Sequence, residues 1–183
     1  MGVNLMTGHA GVPHVTSADD GAWNAGMYGS GKYVLDVGQK FAHELISNNL
    51  IRIKDGYAVN QGRKIGLAFS EYVEVVIETG LQGVKRSDLV VLRYDKNMDS
   101  GIETASFEVV KGVSGDNYVD PEIVSGNILE GEAMDDMKLY RVKINGLTVE
   151  AVEPLFTVKE SILARLERAE AILSNALIIS KEE

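Results

Sequence analysis

The sequence predicts a mainly β fold: a β-sandwich or open barrel of short antiparallel strands and hairpins, with a glycine-rich arm before it and one α-helix after it. Three observations carry this. Short apolar segments with period-two character follow one another from about residue 32 to 158. Gly-bearing turn pairs separate them at Asp55-Gly56, Gln61-Gly62, Thr79-Gly80, Ser100-Gly101 and Asn145-Gly146, and Asn-Gly and Asp-Gly supply the positive φ of tight hairpins. The periodicity then switches to helical after residue 159.

The arm, residues 1–31, combines many of the chain's 19 glycines with Pro13 and shows little periodicity, so no long helix or regular strand is expected there. Trp23 and Tyr28 lie within it, and aromatics amid glycine point to a segment that packs on something. In the β region the expected strands are Tyr33–Val37, Phe41–Ile46, Leu50–Lys54, Tyr57–Asn60, Lys64–Phe69, Tyr72–Glu78, Asp88–Tyr94, Glu103–Lys111, Lys138–Ile144 and Leu147–Val152. Leu50–Phe69 is the most informative stretch, two short strands around a turn at Asp55-Gly56 and then a second turn at Gln61-Gly62. Tyr140, Val142 and Ile144 form one apolar face of a strand. The long connection Gly112–Gly126 is expected to be a surface loop, ordered with the arm by neighbouring subunits.

In residues 159–183, Ile162, Leu166, Ala169, Leu173 and Ala176 alternate four- and three-residue steps, the a/d seam of a coiled coil. Thr157 or Ser161 is a candidate cap. A lone helix of this length is marginal in water and needs a partner, either the β-domain or copies of itself.

The 183 residues carry 18 Lys plus Arg against 27 Asp plus Glu, a formal charge of −9 that repels phosphate backbones and argues against nucleic-acid binding. Hydrophobic residues make up 45%, enough for a real core. Cysteine is absent, so there is neither a disulfide framework nor a thiolate metal site or nucleophile. The first residues lack the basic and apolar regions of a signal peptide, and no run approaches the about 20 apolar residues of a membrane span.

No catalytic constellation stands out. Gly26–Lys32 has the GxxxxGK spacing of a phosphate loop, but Tyr33 replaces the hydroxyl that must reach magnesium, and a strand-like segment follows where a helix is required. His9, His14, Asp19 and Asp20 are metal-ligand types in a loop that fixes no geometry, and His43 lies in a strand-like segment. Glu71, Glu74 and Glu78 share a strand region and Asp135 and Asp136 a turn, without the defined separation across a cleft that acid–base work needs. Trp23, Tyr28 and Tyr33 are candidates for a sugar-stacking platform, though packing is the commoner fate of such rings. The expectation is therefore no catalytic residue, no metal and no cofactor.

The run TGHAGVPHVTSADDGAWNAGMYGSGKYVL, then ISNNLIRIKDGYAVNQGRKI, then TGLQGVKRSDLVVLRY, resembles tail and baseplate proteins of phages and prophages of Gram-positive bacteria, in the virion-attached N-terminal part of baseplate or tail-fibre polypeptides. The resemblance covers about residues 7–156. It implies a structural virion component made in the bacterial cytoplasm, homo-oligomeric with a trimer favoured, which docks to other tail proteins. The expected interface residues are Trp23, Tyr28, Ile162, Leu166, Ala169, Leu173 and Ala176. The alternative is a carbohydrate-binding or carbohydrate-cleaving module of the virion that contacts host surface glycans.

Overall fold

The computed structural model describes residues 15–179, with side chains through 174. His9 and His14, and the side chain of Ala176, lie outside the described residues. The chain runs α1 (Ser17–Tyr28), β1 (Lys32–Leu35), β2 (His43–Ser47), β3 (Leu50–Asn60), β4 (Arg63–Val76), β5 (Lys85–Lys96), β6 (Glu103–Val110), a 3₁₀ turn (Ile128–Glu130), β7 (Met134–Asn145), β8 (Thr148–Pro154), β9 (Val158–Lys159) and α2 (Ile162–Ile179).

Two sheets result, and the fold is mainly β as expected. The first has the order β2-β3-β1-β9, with β4 also paired to β3; the second has the order β6-β5-β7-β8. All pairs are antiparallel except β1–β9. One apolar core lies between the sheets. Val34, Ile51, Ile53 and Val75 enter it from the first, Phe41 from the turn between β1 and β2, and Val90, Leu92, Leu139, Tyr140, Val142 and Ile144 from the second. Two packed layers with a shared core are the sandwich solution to burying one face of each sheet. The predicted apolar face of Tyr140, Val142 and Ile144 is buried here, and the Tyr140 hydroxyl donates to Phe41 O at 2.7 Å.

Three expectations are corrected. Glycine in the arm does not prevent a helix, because α1 forms over Ser17–Tyr28 behind a capping box in which Asp19 N donates to Thr16 Oγ1 at 3.1 Å and Thr16 N to Asp19 Oδ2 at 3.0 Å. Asp55-Gly56 is not a turn. β3 runs through it as one strand, and the register jumps from Lys54–Tyr72 to Gly56–Leu67, so that Asp55 alone opposes residues 68–71 in a wide bulge of β4. Gly56 is needed there for close approach, since a Cβ would stand 2.5 Å from Phe41 N. Asp135 and Asp136 lie in β7, not in a turn, and both are fully buried.

The loop after β6 makes hydrogen bonds within its own chain. Gly112 N donates to Asp88 Oδ1 at 2.9 Å, Val124 N to Asp136 Oδ2 at 3.1 Å, Gly126 N to Asp135 Oδ1 at 2.9 Å, and Ile128 N to Gln61 Oε1 at 2.9 Å. Each carboxylate also meets a cation. Arg86 grips Asp88 with two bonds of 2.8 and 2.9 Å, Arg93 grips Asp136 with 2.7 and 2.8 Å, and Lys32 Nζ donates to Asp135 Oδ1 at 2.6 Å. Buried charges persist only when paired and hydrogen-bonded in this way.

Candidate functional site

The apolar side chains that the sandwich does not absorb collect on the two helices. α1 rests on the β3–β4 hairpin through polar groups: Asn24 Nδ2 donates to Gly62 O at 3.1 Å, Arg63 Nη1 to Ser17 O at 2.7 Å, and Lys64 lies 3.0 Å from Asp20. Its buried positions are Gly21 and Asn24, while Trp23, Met27 and Tyr28 are 63, 58 and 47% exposed. This inverts the usual amphipathic arrangement, in which the apolar stripe faces the body.

α2 leaves the sandwich after β9, and every residue from Ile162 to Ser174 is exposed. Ser161 caps it, donating nothing and accepting Ala164 N on its Oγ at 3.1 Å. Ile162, Leu166 and Leu173 are 67, 53 and 64% exposed, and Ala169 is exposed between them. The residues of the predicted seam whose side chains are described, Ile162, Leu166, Ala169 and Leu173, are therefore not packed on the chain's own sheet. In heptad terms Ile162 and Ala169 are d positions, Leu166 and Leu173 are a positions, Arg165 is g, and Glu170 is e of the next heptad. Neither Arg165 nor Glu170 has an ion-pair partner among the described residues, whereas Arg168 pairs with Glu160.

A cleft of about 490 Å³ joins the two surfaces. Met27 and Tyr28 of α1, Val37, and Ile162 and Arg165 of α2 line it. The structure thus brings Tyr28 and Ile162 together, with Trp23 one turn along α1 and Leu166, Ala169 and Leu173 along α2. Lys159 fixes the junction: its Nζ donates to Tyr28 O at 3.3 Å and lies 4.1 Å from the centre of the Tyr33 ring. Tyr33 is buried, so it shares no stacking platform with Trp23 and Tyr28.

The other candidate groups are engaged locally. In the phosphate-loop spacing Gly26–Lys32, a helix precedes and a strand follows, and Lys32 is held by Asp135. Asp19 caps α1 and Asp20 binds Lys64 and Asn24. His43 stacks edge-on against Tyr140 at 4.7 Å, and burial lowers its pKa. Glu74 pairs with Arg52 at 2.7 Å, and Glu78 pairs with Lys111, whose ammonium lowers its pKa. Among the described residues no three His, Cys, Asp or Glu side chains are grouped to hold a metal ion, and no helix is long and apolar enough to cross a membrane.

Sequence reasoning missed Met27, Leu163 and Ile172 on these surfaces, all more than half exposed. The helical spacing of Trp23 with Met27, and of Leu163 and Ile172 beside the seam, is the signal that could have found them. The chain matches no protein-family model and no curated protein.

Proposed function

We propose that this chain is a structural subunit of a phage or prophage tail or baseplate, which acts by self-association through α2 and by docking to other tail proteins through the outward face of α1. The viral setting is carried by the resemblance of the three sequence runs given above. The observation that carries the assembly reading is the exposed apolar surface of the two helices, Trp23, Met27 and Tyr28 on α1 and Ile162, Leu166 and Leu173 on α2, with Met27, Tyr28 and Ile162 meeting in the cleft. Unpartnered apolar surface rimmed by charge marks an interaction site.

Second copies of α2 fit this seam in a parallel, in-register arrangement. In parallel coiled coils a g residue faces the e residue of the partner's next heptad. That places Arg165 of one copy beside Glu170 of another, pairing two groups that have no ion-pair partner among the described residues of their own chain. The a positions are Leu166 and Leu173 and the described d positions Ile162 and Ala169, so one layer has the leucine-at-a, isoleucine-at-d pattern that shifts preference toward trimers and tetramers. Exposed Leu163 and Ile172 at the flanking e and g positions widen the apolar stripe, which suits more than two helices. The test is molar mass by light scattering: three chains of 19.9 kDa, about 60 kDa, are expected. Cysteine cross-linking at position 166 yields covalent dimers if the helices are parallel and in register, and does not if they are antiparallel.

A further inference from the structure

We propose that the cleft around Asp55, on the far side of β3 from the core, binds an organic cation, an ammonium or guanidinium group. The inference does not depend on how copies of the chain assemble.

Asp55 is only 6% exposed, yet its carboxylate makes no hydrogen bond or ion pair with any described residue. Among the described residues it is the one fully or nearly buried aspartate left in this state; Asp88, Asp135 and Asp136 each have a cation and a backbone N–H. The Asp55 oxygens are not among the fully enclosed side-chain polar atoms that lack a hydrogen bond, so the carboxylate is covered on most sides but reached from the cleft, where it is open to a ligand. The carboxylate lines an open cleft of about 710 Å³. Its Oδ2 stands 2.7 Å from where a Cβ on Gly38 would be, and that Cβ would also lie 3.5 Å from the Phe69 ring. A side chain at 38 would therefore fill the space beside the carboxylate.

The backbone around the cleft is held in uncommon conformations. Lys40, Phe41 and Ser70 have φ of 55, 56 and 67°, a left-handed region that non-glycine residues seldom adopt. Such outliers cluster at ligand sites, where surrounding structure holds them. The β4 bulge opposite Asp55 carries Phe69, Ser70 and Glu71 outward, and Phe69 is 63% exposed.

The charge balance selects the ligand. The cations of the cleft are already matched, Arg52 by Glu74 at 2.7 Å and Lys54 by Glu44 at 3.7 Å; beside it Lys40 pairs with Asp36 at 2.8 Å. Asp55 and Glu71 have no side-chain partner among the described residues. Tyr72 has Arg52 over its ring at 4.3 Å, whereas the Phe69 ring, tilted against Tyr57 at 5.8 Å between centres, is 63% exposed and carries no cation. A carboxylate beside an open aromatic face attracts a cation through both charge and ring quadrupole. A neutral sugar would stack on Phe69 but would leave two anions uncompensated. The cation's source is either a basic side chain of a partner protein or an amine-bearing saccharide.

The full chain is titrated by two-dimensional NMR with Nα-acetyl-lysine methylamide and with glucosamine. Nα-acetyl-norleucine methylamide and N-acetylglucosamine serve as neutral counterparts. The expected result is saturable shifts of the amides at 38, 55, 70 and 72 with a cationic probe and none with its neutral counterpart; the tighter cationic probe identifies the source. Asp55→Asn is expected to weaken binding at least about tenfold without lowering Tm, and Phe69→Ala to weaken it several-fold. Equal shifts from a neutral probe would overturn the proposal in favour of a plain saccharide site. Absence of saturable shifts from either cation, or a Tm several degrees lower in Asp55→Asn, would overturn it outright, the latter by making the carboxylate part of the framework.

Discussion

The sheet β6-β5-β7-β8 and the outer surfaces of the molecule treat unfavourable groups in opposite ways. Inside the sheet, Asp88, Asp135 and Asp136 are fully buried and each is matched by a cation and by an N–H of the loop between β6 and β7. At the surfaces, Trp23, Met27, Leu166 and Leu173 stand in solvent, and among the described residues Arg165 and Glu170 have no ion-pair partner and the Asp55 carboxylate, which lines a cleft, has no counter-charge. A sequence able to solve the harder problem three times within one sheet leaves the easier ones open on its exterior. The difference separates groups that build the fold from groups kept for other molecules.

The largest effect is expected where the framework is broken. Asp88→Ala leaves Arg86, 2% exposed, as an uncompensated buried charge and frees Gly112 N. A loss of about 3–5 kcal/mol in urea unfolding is expected, whereas Asp55→Asn is expected to lose nothing. Equal losses at the two aspartates would erase the contrast. Next in size is Leu166→Asp, which puts charge into the α2 seam. It is expected to reduce the particle to a single chain while the thermal unfolding of the sandwich is unchanged, as light scattering and calorimetry would report. A fall in Tm with the mass preserved would mean that Leu166 serves the fold. Smaller still is Arg165→Glu, which sets like charges across the proposed pairs. A few-fold weaker assembly is expected, restored by adding Glu170→Arg. Failure of the reversed pair to restore it would reject the parallel register.

The smallest effect concerns acid. Hydrogen bonds from Arg141, with further help from Ser87, lower the Asp120 pKa to about 2. A carboxyl depressed in the folded state adds stability above its unfolded value, and that stability is lost as pH falls toward the folded one. Asp120→Asn should therefore flatten the loss of stability between about pH 4 and pH 2. An unchanged acid profile would show that the Arg141–Asp120 pair contributes nothing there.

Much of this contrast was legible in the chain. The Gln61-Gly62 and Asn145-Gly146 turns, the Tyr140/Val142/Ile144 face and the α2 seam are local patterns, and the structure places them as read. α1 was hidden because Gly21 and Gly26 lower helix propensity, although Thr16 and Asp19 carry the capping signal three residues apart. Asp55-Gly56 looked like a turn because glycine marks bulges and close approaches as readily as hairpins. The pairing of Asp135 with Lys32 and of Asp136 with Arg93 spans 103 and 43 residues, a separation over which no local pattern carries information. The Asp55 cleft was illegible for the same reason, since Gly38 and Phe69 meet it only through the fold.

The most direct test compares the molar mass of the full chain with that of a chain ending at residue 160. Three subunits collapsing to one, with the thermal unfolding of the sandwich retained, is the predicted result. An intact chain that sediments and scatters as a 19.9 kDa particle at every concentration would contradict the assembly reading.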